Sequence, residues 1–237
     1  MALIETDDLA VGFDRHVVVD GINLSVGPGG LVVLMGTNGS GKSTILRTLA
    51  GLLEPVSGEV SVLGEWPGAQ AARVAYLPQH PKSLATLPLR ACDVVRMGRY
   101  ASLGLLKRAG SDDREAVESA MSRMSVSQFR DKPLHALSGG QQQRVHLAQI
   151  LARNADVVLL DEPTAGLDAQ GRKAVARMVE EERSAGHCVV MATHDIADAE
   201  PADTVLLLAH RLIAQGTPEE TLTDENLRAC YGFTDRH

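Results

Sequence analysis

The chain has 237 residues, 44% hydrophobic and 22% charged, with a net charge of −7 and an isoelectric point near 5.6. This is globular composition with enough apolar residues for one large domain or two small ones, and its acidic balance argues against a nucleic-acid partner. Runs such as "LVVLM" and "VVLL" fall far short of the roughly 20 apolar residues a membrane span requires, and "MALIETDDLA" carries acids where a secretory signal would carry positive charge. Cys92, Cys188 and Cys230 stand singly without CxxC spacing, so a reducing cytoplasm and partly buried thiols are expected, not a disulfide or zinc framework.

In chain order, "HVVVDGINLSV" and "GPGGLVVLM" read as strands, and the run Leu31 to Met35 is apolar enough for burial on both faces, as in a parallel sheet. A glycine-rich loop follows. A helix is then predicted in "STILRTLAGLLEP", where Ile45, Leu46, Leu49 and Leu53 recur at helical spacing and Pro55 is the stop. "SGEVSVLGE" and "RVAYLPQ" read as further strands. From about 81 to 136 the pattern turns helical. "SDDREAVESAMSRM" offers Ser111 as a cap, acids in the first turn, and one face made of Ala116, Val117, Ala120, Met121 and Met124. After "LSGGQQQ" and its helix come the strand "DVVLLDEP", the helix "AQGRKAVARMVEEERSAG", the strand "CVVMATHD" and a closing pair, "DTVLLLAH" and "RLIAQG". Strands alternating with helices imply an α/β fold with a parallel sheet and crossover connections, into which the 81–136 block is inserted.

Two stretches carry chemistry. "GTNGSGKST" runs Gly36, Thr37, Asn38, Gly39, Ser40, Gly41, Lys42, Ser43 and Thr44. It has the GxxxxGK[ST] pattern between a predicted strand and a predicted helix. Glycines there let backbone N–H groups turn toward phosphate oxygens, and the helix N-terminus points at the same anion. Lys42 would reach the β- and γ-phosphates and Ser43 would offer its hydroxyl to Mg²⁺. The second stretch, "VVLLDEP", ends a buried-type strand in two carboxylates. Asp161 suits the metal of a nucleoside triphosphate, and Glu162 is placed to polarise an attacking water. In "LSGGQ", Ser138 and Gln141 have the spacing of a capping box, so the motif opens a helix, and Gly139 and Gly140 leave its free N–H groups accessible to a phosphate.

Together these motifs resemble the nucleotide-binding subunit of ATP-binding cassette (ABC) transporters, over essentially the whole chain. The resemblance implies a P-loop NTPase parallel-sheet core, an N-terminal antiparallel β subdomain and an inserted α-helical subdomain. It implies one ABC ATPase domain over 1–237, with the core at about 1–80 and 137–237 and the helical subdomain at about 81–136. Leu137, Ser138, Gly139, Gly140 and Gln141 resemble the family signature, which serves the ATP of a second subunit. Gln79 is similar to the Q-loop glutamine near Mg²⁺ and the water, Asp168 to the D-loop aspartate, and His194 to the switch histidine at the γ-phosphate. Phe13 takes the place of the aromatic that stacks on adenine, usually tyrosine there. Singly, each of these has an ordinary reading: a strand-end histidine, a polar turn residue, a core phenylalanine. Their order and spacing along the chain favour the family reading. Gln149 stands where many relatives carry arginine.

The resemblance further implies an ATPase using ATP and Mg²⁺ in a head-to-tail homodimer. Integral-membrane permease subunits and, indirectly, a solute-binding protein would be its partners, with the chain peripheral on the cytoplasmic face of the bacterial plasma membrane. The stretch "LPLRACDVVRMGRYASLGLLKRAGSDDREAVESAM" is similar to importers of metal ions and chelates, nearest to those for zinc or manganese. Iron–siderophore or cobalamin importers, an exporter and a non-transport ATPase of the same family are the alternatives. Between Lys82 and Arg108 stand Lys82, Arg90, Arg96, Arg99, Lys107 and Arg108 against one acid, Asp93, so a basic face toward solvent, anionic headgroups or the permease is expected. His187 and Cys188 are adjacent, which on a strand would point them to opposite faces and not at one metal.

Overall fold

A computed structural model describes residues 2–14, 16–79, 88–103 and 110–232. Among them nine strands run β1 (Ile4–Phe13), β2 (His16–Val26), β3 (Leu31–Gly36), β4 (Ser57–Val62), β5 (Val74–Leu77), β6 (Val157–Asp161), β7 (Cys188–Thr193), β8 (Thr204–Leu208) and β9 (Leu212–Gly216). The helices are α1 (Lys42–Leu49), α2 (Ala91–Leu103), α3 (Ser111–Arg123), α4 (Gly139–Arg153), α5 (Ala169–Ser184), the single turns α6 (Ile196–Ala199) and α7 (Pro218–Thr221), and α8 (Asp224–Tyr231). An antiparallel sheet has the order β2–β1–β4, and a six-stranded sheet has the order β5–β6–β7–β3–β8–β9. The latter is parallel except for β9, which pairs antiparallel with β8.

Alternation along each parallel strand divides its side chains between two cores. Val32, Leu34, Val157, Leu159, Val190 and Leu206 face α1 and the antiparallel sheet, packing with Ile45, Leu46, Leu49, Leu9 and Ile22. Leu31, Val33, Met35, Val158, Leu160 and Val189 face the opposite way, toward Val94, Met121, Val145, Leu147 and Val175 of the other helices. All six residues of β3 are buried, as the apolar run from Leu31 predicts. Asp161 has the parity of Val157 and Leu159, which puts it on the α1 side of the sheet, at the strand's carboxyl end.

Several local expectations are corrected. β1 is absent from the sequence reading because its burial pattern does not alternate: register shifts follow Thr6 and Leu9, and Asp8 takes φ 45°. α1 stops at Leu49, and Leu53 lies beyond it, because Gly51 (φ 71°) turns the chain where any Cβ would strike the backbone of Gly68 at 2.4–2.5 Å. The cap of α3 is Gly110, not Ser111, and Asp113 Oδ2 accepts the Gly110 N–H at 2.9 Å. Val117, Ala120, Met121 and Met124 are buried as expected and Ala116 is half-buried.

The basic run is not a free cationic face where it is described. Arg90 pairs with Asp93 and Asp131, and Arg96 with Asp93 at 3.5 Å. Arg99 bonds Asp113 at 2.8 Å and donates to the Ala152 carbonyl at 3.0 Å, satisfying the last turn of α4. Lys82, Lys107 and Arg108 lie outside the described residues. His187 precedes β7 and its Nδ1 meets Glu182 at 2.8 Å, while burial pushes the Cys188 thiol up to about 12.

Arg99 reaches α4 because α2 and α4 cross in close contact. A Cβ on Gly98 would overlap the Gln149 carbonyl oxygen and stand 3.3 Å from Ala152 Cβ. Gln149 also faces the half-buried His146, whose Nδ1 is 3.4 Å from Gln149 Oε1 and whose pKa is lowered by burial. Gly98→Ala should therefore destabilise the fold by about 1–3 kcal/mol through overpacking, outweighing a helix-propensity gain of about 1 kcal/mol. A fall in the urea unfolding midpoint at unchanged slope measures it.

Candidate functional site

The loop from β3 to α1 folds as its glycines demand. Gly36 takes φ 149°, and a Cβ there would overlap the Leu208 carbonyl oxygen; Gly41 takes φ 107°, and a Cβ would sit 2.5 Å from Val19 Cγ2. Any side chain at either position would push the loop off β8 or β2. Inside this loop Lys42, only 6% exposed, donates from Nζ to the carbonyls of Gly36 at 2.7 Å and Thr37 at 3.0 Å. Burial holds its pKa below the ordinary lysine value, and the nearby Glu162 and Asp161 oppose that shift. Ser40 is buried with its hydroxyl unpartnered among the described residues.

Across from the loop, β6 delivers two carboxylates. Asp161 is 1% exposed, and neither of its oxygens completes a hydrogen bond among the described residues. The buried Tyr76 hydroxyl lies within electrostatic range of it without closing a bond. Glu162 is also buried, with Oε1 4.0 Å from Lys42 Nζ. Its backbone occupies the left-handed region at φ 52°, a conformation that costs a non-glycine residue about 1 kcal/mol or more. Two bonds hold it there: its N–H donates to the Ala192 carbonyl at 3.0 Å, and its own carbonyl accepts from Ala165 at 3.1 Å. His194, just past β7, places Nδ1 2.8 Å from Glu162 Oε2. Against an ionised carboxylate Nδ1 is the donor, which leaves Nε2 facing outward from a largely exposed ring.

A cavity of about 410 Å³ joins the loop to the two carboxylates, lined by Phe13, Val18, Asn38, Gly39, Ser40, Gly41, Lys42, Ser43, Thr44, Gln79, Asp161 and Glu162 but not by His194, which meets it through Glu162. Phe13 and Gln79 are exposed at its rim. Gly36 and Thr37 stand behind the wall, contributing the carbonyls that hold Lys42. Val18 has no signal in the sequence; it follows from β2 pairing beside Phe13, where Gly12 meets Val17.

Leu137, Ser138, Gly139, Gly140 and Gln141 do not line this cavity. Leu137 is buried, and Ser138 caps α4: its N–H donates to Gln141 Oε1 at 3.0 Å and its Oγ accepts the Gln141 N–H at 3.4 Å. Gly139 is exposed, with open space where a Cβ would lie. Asp168 is likewise outside the cavity and caps α5, accepting the Gly171 N–H at 2.7 Å. That capping role is one the sequence reading missed, although Asp before a helical run is its usual signal.

The ABC transporter family profile matches residues 19–165. The manganese transport system ATP-binding protein MntB of Bacillus subtilis (strain 168) is 39% identical over 97% of this chain and 92% of its own. The zinc transport system ATP-binding protein TroB of Treponema pallidum (strain Nichols) is 36% identical over 97% and 86%. Among solved structures, a metal-chelate type ABC transporter in an inward-facing conformation superposes with a TM-score of 0.84 at 26% identity, covering 98% of this chain and 90% of that one. With a family profile over more than half its length and near-full-length relatives of this similarity, the chain belongs to the ABC transporter family, as an ATP-binding and ATP-hydrolysing subunit.

Proposed function

We propose that this chain powers a membrane importer for manganese or zinc ions, working as a head-to-tail homodimer on permease subunits that receive the ion from a solute-binding protein. The observation carrying the enzymatic part is the cavity that unites the phosphate loop with Asp161 and Glu162. The metal assignment leans on the near-full-length similarity to manganese and zinc ATP-binding proteins. Import of a metal chelate is the second reading, favoured by the superposition on a metal-chelate type transporter.

In this reading the loop amides and Lys42 hold the triphosphate, Phe13 stacks on the base, and Ser40 and Thr44 complete the loop wall. A buried carboxylate with unpaired oxygens carries a desolvation cost of several kcal/mol and needs a cation partner. Asp161, with the Ser43 hydroxyl and the Gln79 side-chain oxygen, forms a set of hard oxygen donors that fits Mg²⁺. When bound there, Mg²⁺ would neutralise the charge of the phosphate oxygens. Glu162 takes the attacking water as general base, held by its backbone bonds and by His194. His194 keeps Nε2 for the γ-phosphate. Burial of Lys42 favours binding, because an incoming polyanion restores the charge environment its site lacks.

The exposed amino end of α4 supplies the rest. This end lies outside the chain's own cavity, with Gly139 exposed and open space beside it, which supports a role on the ATP of a second copy. Asp168 would lie at the same interface. Among the described residues no helix is long and apolar enough to cross a membrane; in this reading the chain attaches through the permease at the cytoplasmic face.

Glu162→Gln should bind ATP with affinity near the parent's, form a stable ATP-dependent dimer on size-exclusion chromatography, and lose about 100-fold or more in kcat. Turnover at the parental rate would remove Glu162 from the base role. In cells lacking this chain, uptake of radiolabelled manganese or zinc should fall to background and return with the parent but not with Glu162→Gln. Restoration of uptake of a ferric chelate alone would select the second reading.

A further inference from the structure

The three glutamines that open α4 make three different bonds. Gln141 closes the cap with Ser138, and Gln142 Nε2 donates back to the Leu137 carbonyl at 2.9 Å. Only the third leaves its own segment. Gln143 is 9% exposed, and its Nε2 donates to the Pro163 carbonyl at 3.3 Å. A carbonyl only accepts, so the amide nitrogen, and not the oxygen, must face it.

Pro163 directly follows Glu162, whose left-handed backbone leaves little freedom to adjust independently. A second contact ties the same two segments. A Cβ on Gly140 would stand 3.2 Å from the Gly166 carbonyl oxygen and 3.6 Å from Leu167 Cδ2, so the first turn of α4 rests on the loop that ends at Asp168. One helix end therefore bears on a loop whose start carries Glu162 and whose finish caps α5.

We propose that Gln143 is a positioning residue that couples the two ATP sites of the dimer. Its bond to Pro163 makes the placement of Glu162, which serves the chain's own ATP, depend on the position of α4, whose amino end serves the partner's ATP. This rests on the head-to-tail reading above. When the partner's ATP draws residues 138–141 inward, α4 moves as a rigid element, and the buried bond takes Pro163 with it. Releasing Pro163 alone would leave a buried carbonyl unpaired, which is costlier than moving the two together.

The test uses the full-length chain carrying Gln143→Met, which keeps length and volume and removes the donor. A second variant, Gln143→Glu, presents an accepting carboxylate to an accepting carbonyl. MgATP hydrolysis is followed against ATP concentration, and nucleotide affinity is measured separately with a fluorescent ATP analogue in EDTA. In both variants the Hill coefficient is expected to fall from about 2 toward 1, the number of coupled sites setting its upper limit. With it, kcat should drop roughly fivefold to tenfold, as one charge-neutral buried hydrogen bond would give. Affinity in EDTA should stay within about twofold, since Gln143 does not touch the chain's own cavity. A Hill coefficient and kcat at parental values in Gln143→Met overturn the coupling. So does a loss of affinity and melting temperature together at an unchanged Hill coefficient, which would make Gln143 a purely structural residue. A parent chain that hydrolyses ATP without cooperativity also overturns the coupling, whereas a Glu162→Gln chain that forms no ATP-dependent dimer overturns the head-to-tail reading and the coupling with it.

Discussion

Lys42 holds a positive charge where burial opposes it, and Asp161 and Glu162 face it from the end of β6 with their own charges equally removed from water. Desolvating three ions costs several kcal/mol each. The 4.0 Å approach of Lys42 to Glu162 and the two carbonyls on its ammonium offset only part of that cost, and the Asp161 oxygens have no donor among the described residues. In the proposed function, a polyphosphate with its cation would complete this electrostatic set. The rest of the molecule keeps those three groups where they are.

The parallel sheet does the largest share of that work. The parallel ladders of β6 with β5 and β7 set its register, and a slip by one residue would exchange its two faces between the cores. That fixes Asp161 on the α1 side. Gly36 and Gly41 let the loop lie against β8 and β2 with no intervening side chain, bringing the start of α1 to the same edge. Glu162 sits one residue past the strand, where the chain must turn sharply. The strain of its positive φ is carried by bonds to Ala192 and Ala165, so the carboxylate is aimed by backbone and not by a flexible side chain alone.

α4 shows the same economy in a different place. Its cap, its two glycines and the run Gln141 to Gln143 lie at one end, while its other end is anchored by Arg99 on the Ala152 carbonyl and by the close crossing with α2 at Gly98, beside Gln149. A helix gripped at the far end and satisfied by side-chain caps at the near end suits the rigid displacement proposed for it. Arg90, just before α2, and Arg96 and Arg99 within it, which look like a free basic surface in one dimension, are paired with Asp131, Asp93 and Asp113.

Local physics made much of this protein legible from its sequence. Backbone conformation at glycine, apolar periodicity and capping chemistry act within a few residues, so the phosphate loop, the both-face burial of β3, the carboxylates ending β6 and the cap at Ser138 could all be read in one dimension. β1 escaped because three register shifts against β2 and a left-handed Asp8 break its alternation, and those irregularities are stabilised only by pairing with β2 and β4. The tertiary structure alone decided which charges meet. Arg99 finds Asp113 and the end of α4, Gln143 finds Pro163 20 residues on, and His194 finds Glu162 across 32 residues. Electrostatic and hydrogen-bond partners depend on distance in space, which sequence separation does not encode.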